Sequence, residues 1–215
     1  MLQLHYFPGN ASFTPHVLLE ELGVPYELKL VDRARQAHKS PDYLRLNPNG
    51  LIPVLVDGEL VLYETAAICL HLADRHPQAA LAPPLGSPER AHFYKWLVWL
   101  TNTVQARLLH YFYGERLVDA DNVLAAAQVK AHAEADIGTM LDQLDAQLAQ
   151  HGGAWLLGPT YSAVDAYALM LCRWTRAFAR PARSLPHLGP YLQRMLARPA
   201  VQRVFEQEML AEPKV

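Results

Sequence analysis

Cysteine is scarce in this chain, whose 215 residues include two, Cys69 and Cys172. Each lies in an apolar stretch with helical character, which predicts buried thiols in a reducing compartment and argues against a disulfide scaffold. Long apolar runs are also missing, because none approaches the roughly 20 residues of a membrane-spanning helix. The first residues lack a basic segment followed by a long apolar run, so we expect no signal peptide. These absences predict a cytoplasmic protein with no membrane partner.

An excess of charge of either sign is missing as well. The net charge is −2 at pH 7, and charged residues make up 19% of the chain. Broad nucleic-acid binding needs a basic surface, so we expect no nucleic-acid partner. The sequence has no His-Glu-x-x-His and no Cys-x-x-Cys, and His71 and His76 are five residues apart, which separates them on a helix. We therefore predict no metal site.

The apolar residues, 51% of the chain, are enough for an ordinary core, and residues 1–76 have the pattern of a mixed α/β unit. Residues 2–6 alternate with the period of a strand. Thr14 is a good helix N-cap and Pro15 suits the first helical position, so a helix is predicted to begin there. Gly23 is expected to end that helix in the left-handed conformation.

The rest of this unit predicts a second strand near residues 26–30 and then an irregular segment. Asp57 and Gly58 lie between two apolar runs, which is a strong hairpin signal. A helix is expected from Thr65 to about His76. The predicted order is therefore β-α-β, an irregular segment that includes some helix, and then β-β-α around a small mixed sheet.

The segment 77–87 is rich in proline and predicts a linker between a first domain, residues 1–76, and an all-helical second domain, residues 88–215. Ser162 and Asp165 have the spacing of a capping box, with Asp in place of the usual Glu or Gln. They predict the start of a helix central to the core. The other helices of this domain are expected at about 88–113, 121–151, 188–197 and 200–210.

The most informative stretch runs over residues 47–68. Pro53 interrupts an apolar segment that otherwise reads as a buried strand, and proline belongs at a strand start, an edge or a bulge. Glu64 and Thr65 follow where a strand ends and a helix begins. A strand entrance and a helix N-terminus this close in sequence can form one polar pocket.

Together these features resemble the cytosolic glutathione transferase superfamily over essentially the whole chain. The resemblance is carried by residues 49–55, by residues 64–68 and by the capping box at residues 162–165. Residues 6–16, YFPGNASFTPH, look like the bacterial beta-class version with a serine-type turn. The resemblance implies a thioredoxin-like first domain and an all-α second domain.

The resemblance also implies how glutathione is bound. It implies a cis bond before Pro53, which turns the backbone of Ile52 toward the cysteinyl part of glutathione. Glu64 and Thr65 match positions that hold the γ-glutamyl end, where a helix N-terminus and a hydroxyl suit a carboxylate. The candidates for the glycyl carboxylate are His38 and Lys39.

Such an enzyme must favour the thiolate of glutathione, whose thiol pKa lies near 8.5. Ser12 is the first candidate for the thiolate donor, Asn10 the second and Tyr6 the third. The alternative for Ser12 is a turn residue that bonds its own backbone. The beta class usually has a cysteine directly before this serine, where this chain has Ala11. That difference favours thiolate activation over disulfide exchange.

The first long helix departs from the beta class as well. Where beta-class enzymes often place a His-Lys pair on glutathione, this chain has Gln105 and Ala106, and Arg107 is close enough to serve instead. Tyr111 and Tyr113, near the end of that helix, are candidates for the wall of the second-substrate pocket, with a core or dimer contact as the alternative.

Three arginines share one predicted helical face, since Arg173, Arg176 and Arg180 are spaced i, i+3 and i+7. The ordinary interpretation is a solvated or interface face. The functional alternative is a positive field for an anionic substrate.

The resemblance implies an enzyme, a glutathione transferase of detoxification that attacks an apolar electrophile and forms a homodimer. Glutathione would be a co-substrate, and no other cofactor is expected. The same fold hosts many functions. The alternatives are a non-catalytic member that binds ligands or partners, and a glutathione-dependent isomerase, dehalogenase or peroxidase.

Overall fold

The computed structural model describes the backbone of residues 1–215 and every side chain except that of His151. The strands are β1 (Leu2–Tyr6), β2 (Tyr26–Leu30), β3 (Val54–Asp57) and β4 (Leu60–Tyr63). The α-helices are α1 (Phe13–Leu22), α2 (Pro41–Leu46), α3 (Thr65–Arg75), α4 (Pro88–Trp99), α5 (Ala106–Phe112), α6 (Val123–His151), α7 (Ala163–Trp174), α8 (Leu188–Leu196) and α9 (Pro199–Gln207).

The four strands form one mixed sheet in the order β2-β1-β3-β4. β1 runs parallel to β2 and antiparallel to β3, where Leu4 pairs with Leu55. β3 and β4 form the predicted hairpin, whose two-residue turn places Gly58 at a φ of 62°. A positive φ suits glycine, which explains why the Asp-Gly pair marks this turn. The thioredoxin-like fold predicted for the N-terminal half is confirmed.

Helix α1 ends as predicted but begins differently. Gly23 closes it in the left-handed conformation. Thr14 lies inside the helix rather than at its N-cap, and its buried hydroxyl donates to Met170 Sδ at 3.2 Å. The cap position belongs to Ser12, because the turn before it already makes the backbone bond from the Phe13 N–H to the Asn10 carbonyl. The prediction of a Thr14 cap is therefore wrong by two residues.

The first helix of the all-α half contains an irregularity that the sequence did not predict. The backbone stays helical from Pro88 to Phe112, as expected, but Leu100–Gln105 is a π-helical segment between α4 and α5. Short π segments often occur at functional sites. The last residue of this segment, Gln105, lines the cavity described below, and so does the next residue, Ala106.

Helix α7 is the centre of the second half, since residues 163–173 are all buried. The predicted capping box is present: the Ser162 N–H donates to Asp165 Oδ2 at 2.9 Å. Asp165 Oδ1 accepts from the Leu156 N–H at 2.9 Å and from the Tyr191 hydroxyl at 3.1 Å. Burial raises the pKa of Asp165 to about 6 despite these hydrogen bonds, which oppose the rise.

The sheet half and the helical half are in contact, because α1 packs on α3 and also on α7 and α9. Domain boundaries at residues 76 and 88 stay a prediction. Cys69 and Cys172 are both buried and free, as the sequence predicted. Across the described residues, no helix is long and apolar enough to span a membrane.

Candidate active site

A cavity of about 650 Å3 lies between the sheet half and the helical half. The sheet half contributes the turn after β1, the segment around residues 38–39 and the segment 50–52. The helical half contributes residues of the π segment, α5 and the chain after α5, and the end of α7. The cavity is therefore built from both halves, with a wall from the sheet half and a wall from the helical half.

The turn after β1 separates the candidate thiol partners. Ser12 is fully buried, and its hydroxyl donates to the Phe7 carbonyl at 3.1 Å and accepts from the Phe7 N–H at 3.2 Å. Asn10 instead lines the cavity. Its Oδ1 accepts from the Ala11 N–H at 2.7 Å, and its amide nitrogen makes no hydrogen bond with the described residues. The structure thus places the second sequence candidate at the cavity and gives the first the turn-bonding role that was its alternative.

Tyr6, the third candidate, does not line the cavity. Its ring is in edge contact with the ring of His16, with centroids 6.1 Å apart. Burial and, to a lesser extent, the negative charge of Glu208 raise the pKa of the Tyr6 phenol, so the hydroxyl keeps its proton.

The segment before β3 brings an unpaired peptide group to the cavity. The Ile52–Pro53 bond is cis, as the resemblance implied, and Pro53 is buried. Ile52 lines the cavity, and within the described part of the chain its backbone N–H and C=O make no hydrogen bond. Unpaired backbone groups at a cavity are available to a ligand, since such groups are otherwise almost always satisfied.

Two residues that the sequence reasoning missed hold this segment in place. The Leu51 carbonyl accepts from the Tyr43 hydroxyl at 2.8 Å and from the Asn47 side-chain amide at 2.9 Å. Both side chains are buried. No local sequence signal assigns either donor to Leu51, because the contact depends on how close the side chains lie in space.

Glu64 and Thr65 lie at the start of α3, next to the cavity lining rather than in it. Thr65 is buried, and its hydroxyl donates to the Ala11 carbonyl at 3.4 Å, which ties the helix start to the turn after β1. Glu64 is exposed and has a φ of 74°. A positive φ is costly for a residue other than glycine and is often found at functional sites.

His38 and Lys39 both line the cavity. Lys39 Nζ donates to the Asn49 carbonyl at 3.2 Å. Gly50 makes this approach possible, because a Cβ there would lie 2.7 Å from Lys39 Nζ and 2.8 Å from the His38 carbonyl oxygen. The pKa of His38 is lowered by burial and then by the positive charges of Lys39 and Arg33. This end of the cavity is therefore electropositive.

On the helical wall, Gln105 and Ala106 line the cavity, and Gln105 Oε1 accepts a hydrogen bond from the Tyr167 hydroxyl. Arg107 does not line it. Its guanidinium pairs with Asp136 of α6 at 3.2 Å, because consecutive helical residues point in directions about 100° apart. A contact between Arg107 and glutathione stays a prediction, with this guanidinium occupied by Asp136 in the structure.

The two tyrosines at the end of α5 are separated in the same way. Tyr113 lines the cavity and accepts a hydrogen bond from Arg33 at 3.1 Å. Tyr111 is turned away and packs on Phe178, with ring centroids 4.3 Å apart. The core contact that was the alternative for Tyr111 is the one the structure shows.

Comparisons with known proteins agree with this geometry. The family model described as the glutathione S-transferase N-terminal domain matches residues 11–75, and the one for the C-terminal domain matches residues 127–205. A glutathione S-transferase, GST-4.5, of Xanthomonas campestris pv. campestris is 31% identical over 97% of this chain and 100% of its own length.

Solved structures show the same likeness. A glutathione transferase homologue from Sulfitobacter with bound glutathione superposes with a TM-score of 0.88 at 27% identity, over 98% of this chain and 99% of the other. A bacterial beta-class glutathione S-transferase from Sphingomonas chungbukensis superposes with a TM-score of 0.83 at 28% identity, over 97% and 100% of the two chains.

Proposed function

The chain belongs to the glutathione S-transferase family, and from that premise we propose that it binds reduced glutathione in the cavity between its two halves and joins it to an electrophile. The observation that carries the proposal is the unpaired backbone of Ile52 at the cavity wall. Glutathione is a peptide, and an N–H and a C=O beside a strand can pair with its cysteinyl residue as a neighbouring strand would.

One end of the cavity, and the start of α3 beside its lining, suit the two ends of glutathione. We place the glycyl carboxylate beside His38 and Lys39, where the lining is electropositive. We place the γ-glutamyl end at the start of α3, beside the cavity lining, where the first amides of the helix favour a carboxylate and Glu64 favours an ammonium. Thr65 contributes by holding this helix start against the Ala11 carbonyl. Pro53 contributes by shaping the Ile52 backbone rather than by a side-chain contact.

The thiol then lies at the turn after β1. We propose that the Asn10 amide donates to the sulfur, with Ser12 bracing the turn through Phe7. A donor that stabilises the thiolate lowers the thiol pKa, at about 1.4 kcal/mol for each unit. The thiol proton passes to water, a carbon–sulfur bond forms, and the leaving group of the electrophile departs with its bonding electron pair.

A protein thiol is not used in this reaction. Cys69 and Cys172 are buried, and burial raises the pKa of both, that of Cys172 to about 12. Ala11 stands where the beta class carries its cysteine. The proposed chemistry is therefore thiolate activation in a single displacement.

We further propose that the protein works in the cytoplasm, in detoxification, as a homodimer. Large apolar side chains exposed on α4 and on the hairpin, Tyr94, Val98 and Leu60, support a protein partner. Light scattering during size-exclusion chromatography measures the oligomeric state, and a mass near 24.1 kDa would contradict the homodimer.

Two measurements test the function. The protein is expected to be retained on immobilised glutathione and released by free glutathione, and no retention at millimolar ligand would contradict the proposed site. The bound protein is expected to accelerate the reaction of glutathione with an aryl halide above the uncatalysed rate. Retention without turnover would make it a glutathione-binding protein instead of an enzyme.

A further inference from the structure

The cavity lining has a strong bias of charge. Arg33, Lys39, Arg116 and Arg176 line it, whereas no Asp or Glu is among the lining residues in the part of the chain that the structure describes. The whole chain is slightly acidic, with a net charge of −2, so this bias is local. Lys39 is accounted for by the glycyl carboxylate of glutathione. The cations of the helical wall are not.

Arg176 is the clearest of these unexplained cations. It is half-buried, and Nη1 donates to the Arg173 carbonyl at 3.1 Å. Among the described side chains, no carboxylate lies within 4.0 Å of it. Arg176 and Arg180 both follow the end of α7 at Trp174, so the helical face predicted for them together with Arg173 is not formed. Arg180 has an ordinary surface pairing with Asp142 at 2.6 Å. A half-buried guanidinium that faces a cavity without a carboxylate keeps donors available for an anion.

An apolar wall lies directly beside Arg176. Trp174, two residues earlier, is in edge contact with Phe112, with ring centroids 6.1 Å apart, and both line the cavity. The Trp174 indole N–H donates to the Gly9 carbonyl at 3.0 Å. Because Gly9 precedes Asn10, this wall reaches the turn at which the thiol is placed. An aromatic ring against Phe112 and Trp174 would thus lie next to the sulfur.

Two more cations flank the mouth of the cavity around Tyr113. Arg33 donates to the Tyr113 hydroxyl at 3.1 Å, and Arg116 Cζ lies 4.0 Å from the centre of the same ring. Arg116 is exposed and is 3.8 Å from the exposed carboxylate of Glu115, a pairing weakened by solvent. The mouth therefore adds positive potential that attracts anions toward the apolar wall.

We infer that this enzyme prefers an aromatic electrophile that carries a carboxylate or sulfonate, with its ring against Phe112 and Trp174 and its anionic group on Arg176. The inference rests on the proposed function and narrows its second substrate. The reaction is the same displacement: the sulfur–carbon bond forms, the aryl–halide bond breaks, halide leaves with the electron pair and the thiol proton passes to water. The anionic group stays unchanged.

Two aryl chlorides that differ in charge test this inference, 1-chloro-2,4-dinitrobenzene as the neutral one and 4-chloro-3,5-dinitrobenzoate as the anionic one. Each kcat/KM is divided by the uncatalysed rate constant with glutathione, which removes the difference in intrinsic reactivity. We expect the normalised value to be higher for the benzoate. Arg176→Gln is expected to lower the benzoate-to-neutral ratio about tenfold, the cost of one charge-assisted hydrogen bond.

Matched variants separate this effect from a general one. Arg180→Gln removes a nearby exposed arginine outside the cavity and should leave the ratio unchanged. Arg176→Lys keeps the charge and should restore part of the ratio. Added salt should lower the ratio in the unmodified protein, because it screens the attraction between Arg176 and the benzoate.

The outcomes distinguish the inference from the function it rests on. No turnover of either chloride would overturn both. Turnover with a ratio that Arg176→Gln leaves unchanged would overturn the inference alone. The inference would also fail if Arg176→Gln raised the KM for glutathione equally with both chlorides at an unchanged ratio, because Arg176 would then serve glutathione.

Discussion

His16 Nδ1 lies 2.8 Å from Glu208 Oε1, and both side chains are buried. The other oxygen of the same carboxylate accepts the Gly9 N–H at 2.7 Å. Glu208 directly follows α9, so the end of the last helix holds the turn on which the proposed thiol partner lies. This carboxylate acts on the site through the backbone, as a positioning residue.

Glu208→Gln is expected to destabilise the protein by about 2–3 kcal/mol. The buried carboxylate that contacts His16 and accepts from the Gly9 N–H is lost, and the amide group of the new glutamine places an N–H where the carboxylate had an oxygen. The substitution should also raise the KM for glutathione, since the Gly9 turn is held less firmly. Urea unfolding and steady-state kinetics measure the two effects. Glu206→Gln, an exposed change two residues earlier, is the control. An unchanged KM in a folded Glu208→Gln protein would contradict the positioning role.

Asn10 and Ser12 are expected to respond differently to replacement by alanine. Asn10→Ala removes the amide that lines the cavity and should raise the pKa of bound glutathione by about one unit. Ser12→Ala removes hydrogen bonds to Phe7 and should chiefly cost about 1–2 kcal/mol of unfolding free energy. Titration of the thiolate absorbance in the ultraviolet checks both variants. The reverse result would favour Ser12, the first choice from sequence.

Asp165 is expected to make stability depend on pH with an unusual sign. Its pKa is about 6 in the folded protein against an ordinary 3.8, so between these values the folded state binds the proton more tightly than the unfolded state. Its contribution to stability therefore falls as pH rises from about 4 to 6 and is level above that, a change of about 3 kcal/mol.

Asp165→Asn removes this pH dependence, and it also costs stability at every pH because one amide N–H then faces the donors that Asp165 accepts from. Urea midpoints at pH 4.5 and 7.5 measure both effects. Asp142→Asn, an exposed member of a surface pair, serves as the control. A stability difference between the two pH values that is the same with and without Asp165 would contradict the raised pKa.

The two thiols are expected to be inert in the folded protein. Burial shields Cys69 and Cys172 and raises the pKa of each, so the reactive thiolate is rare at neutral pH. A chromogenic disulfide reagent should find no fast thiol at pH 7.5 and two thiols in guanidinium. Cys69→Ala and Cys172→Ala identify the residue if one does react, and a fast native thiol would contradict the described packing.

The order of the elements could be predicted because its signals are local. Gly23, the Asp57-Gly58 pair and the Ser162–Asp165 capping box each act on their own few residues, and each is found where the sequence placed it. The Thr14 cap failed for the opposite reason. The preceding turn is closed by its own backbone bonds, and the Thr14 hydroxyl is used by Met170, far away in sequence.

The site was less accessible from sequence, because side-chain direction and long-range contacts decide it. Side chains close together in sequence point in different directions: Gln105 lines the cavity, whereas Arg107 pairs with Asp136 on α6. Tyr113 and Tyr111 divide in the same way. No local pattern indicated the buried partners of the turns, Glu208 on Gly9 among them, since 199 residues separate the two.

The π segment Leu100–Gln105 gives the cavity wall a route to change that the core does not share. A π turn holds one residue more than an α turn, and each residue of an α-helix rotates the chain by about 100°. The wider turn therefore covers the same rotation about the axis with one more residue, and loss of a single residue there would leave a regular α-helix whose later side chains, those of α5, keep their directions. The helix could thus gain or lose one residue at this point while the groups of α5 that face the cavity stay in place. The number of residues in this part of the wall is free to vary where the packing of α4 and α5 is not.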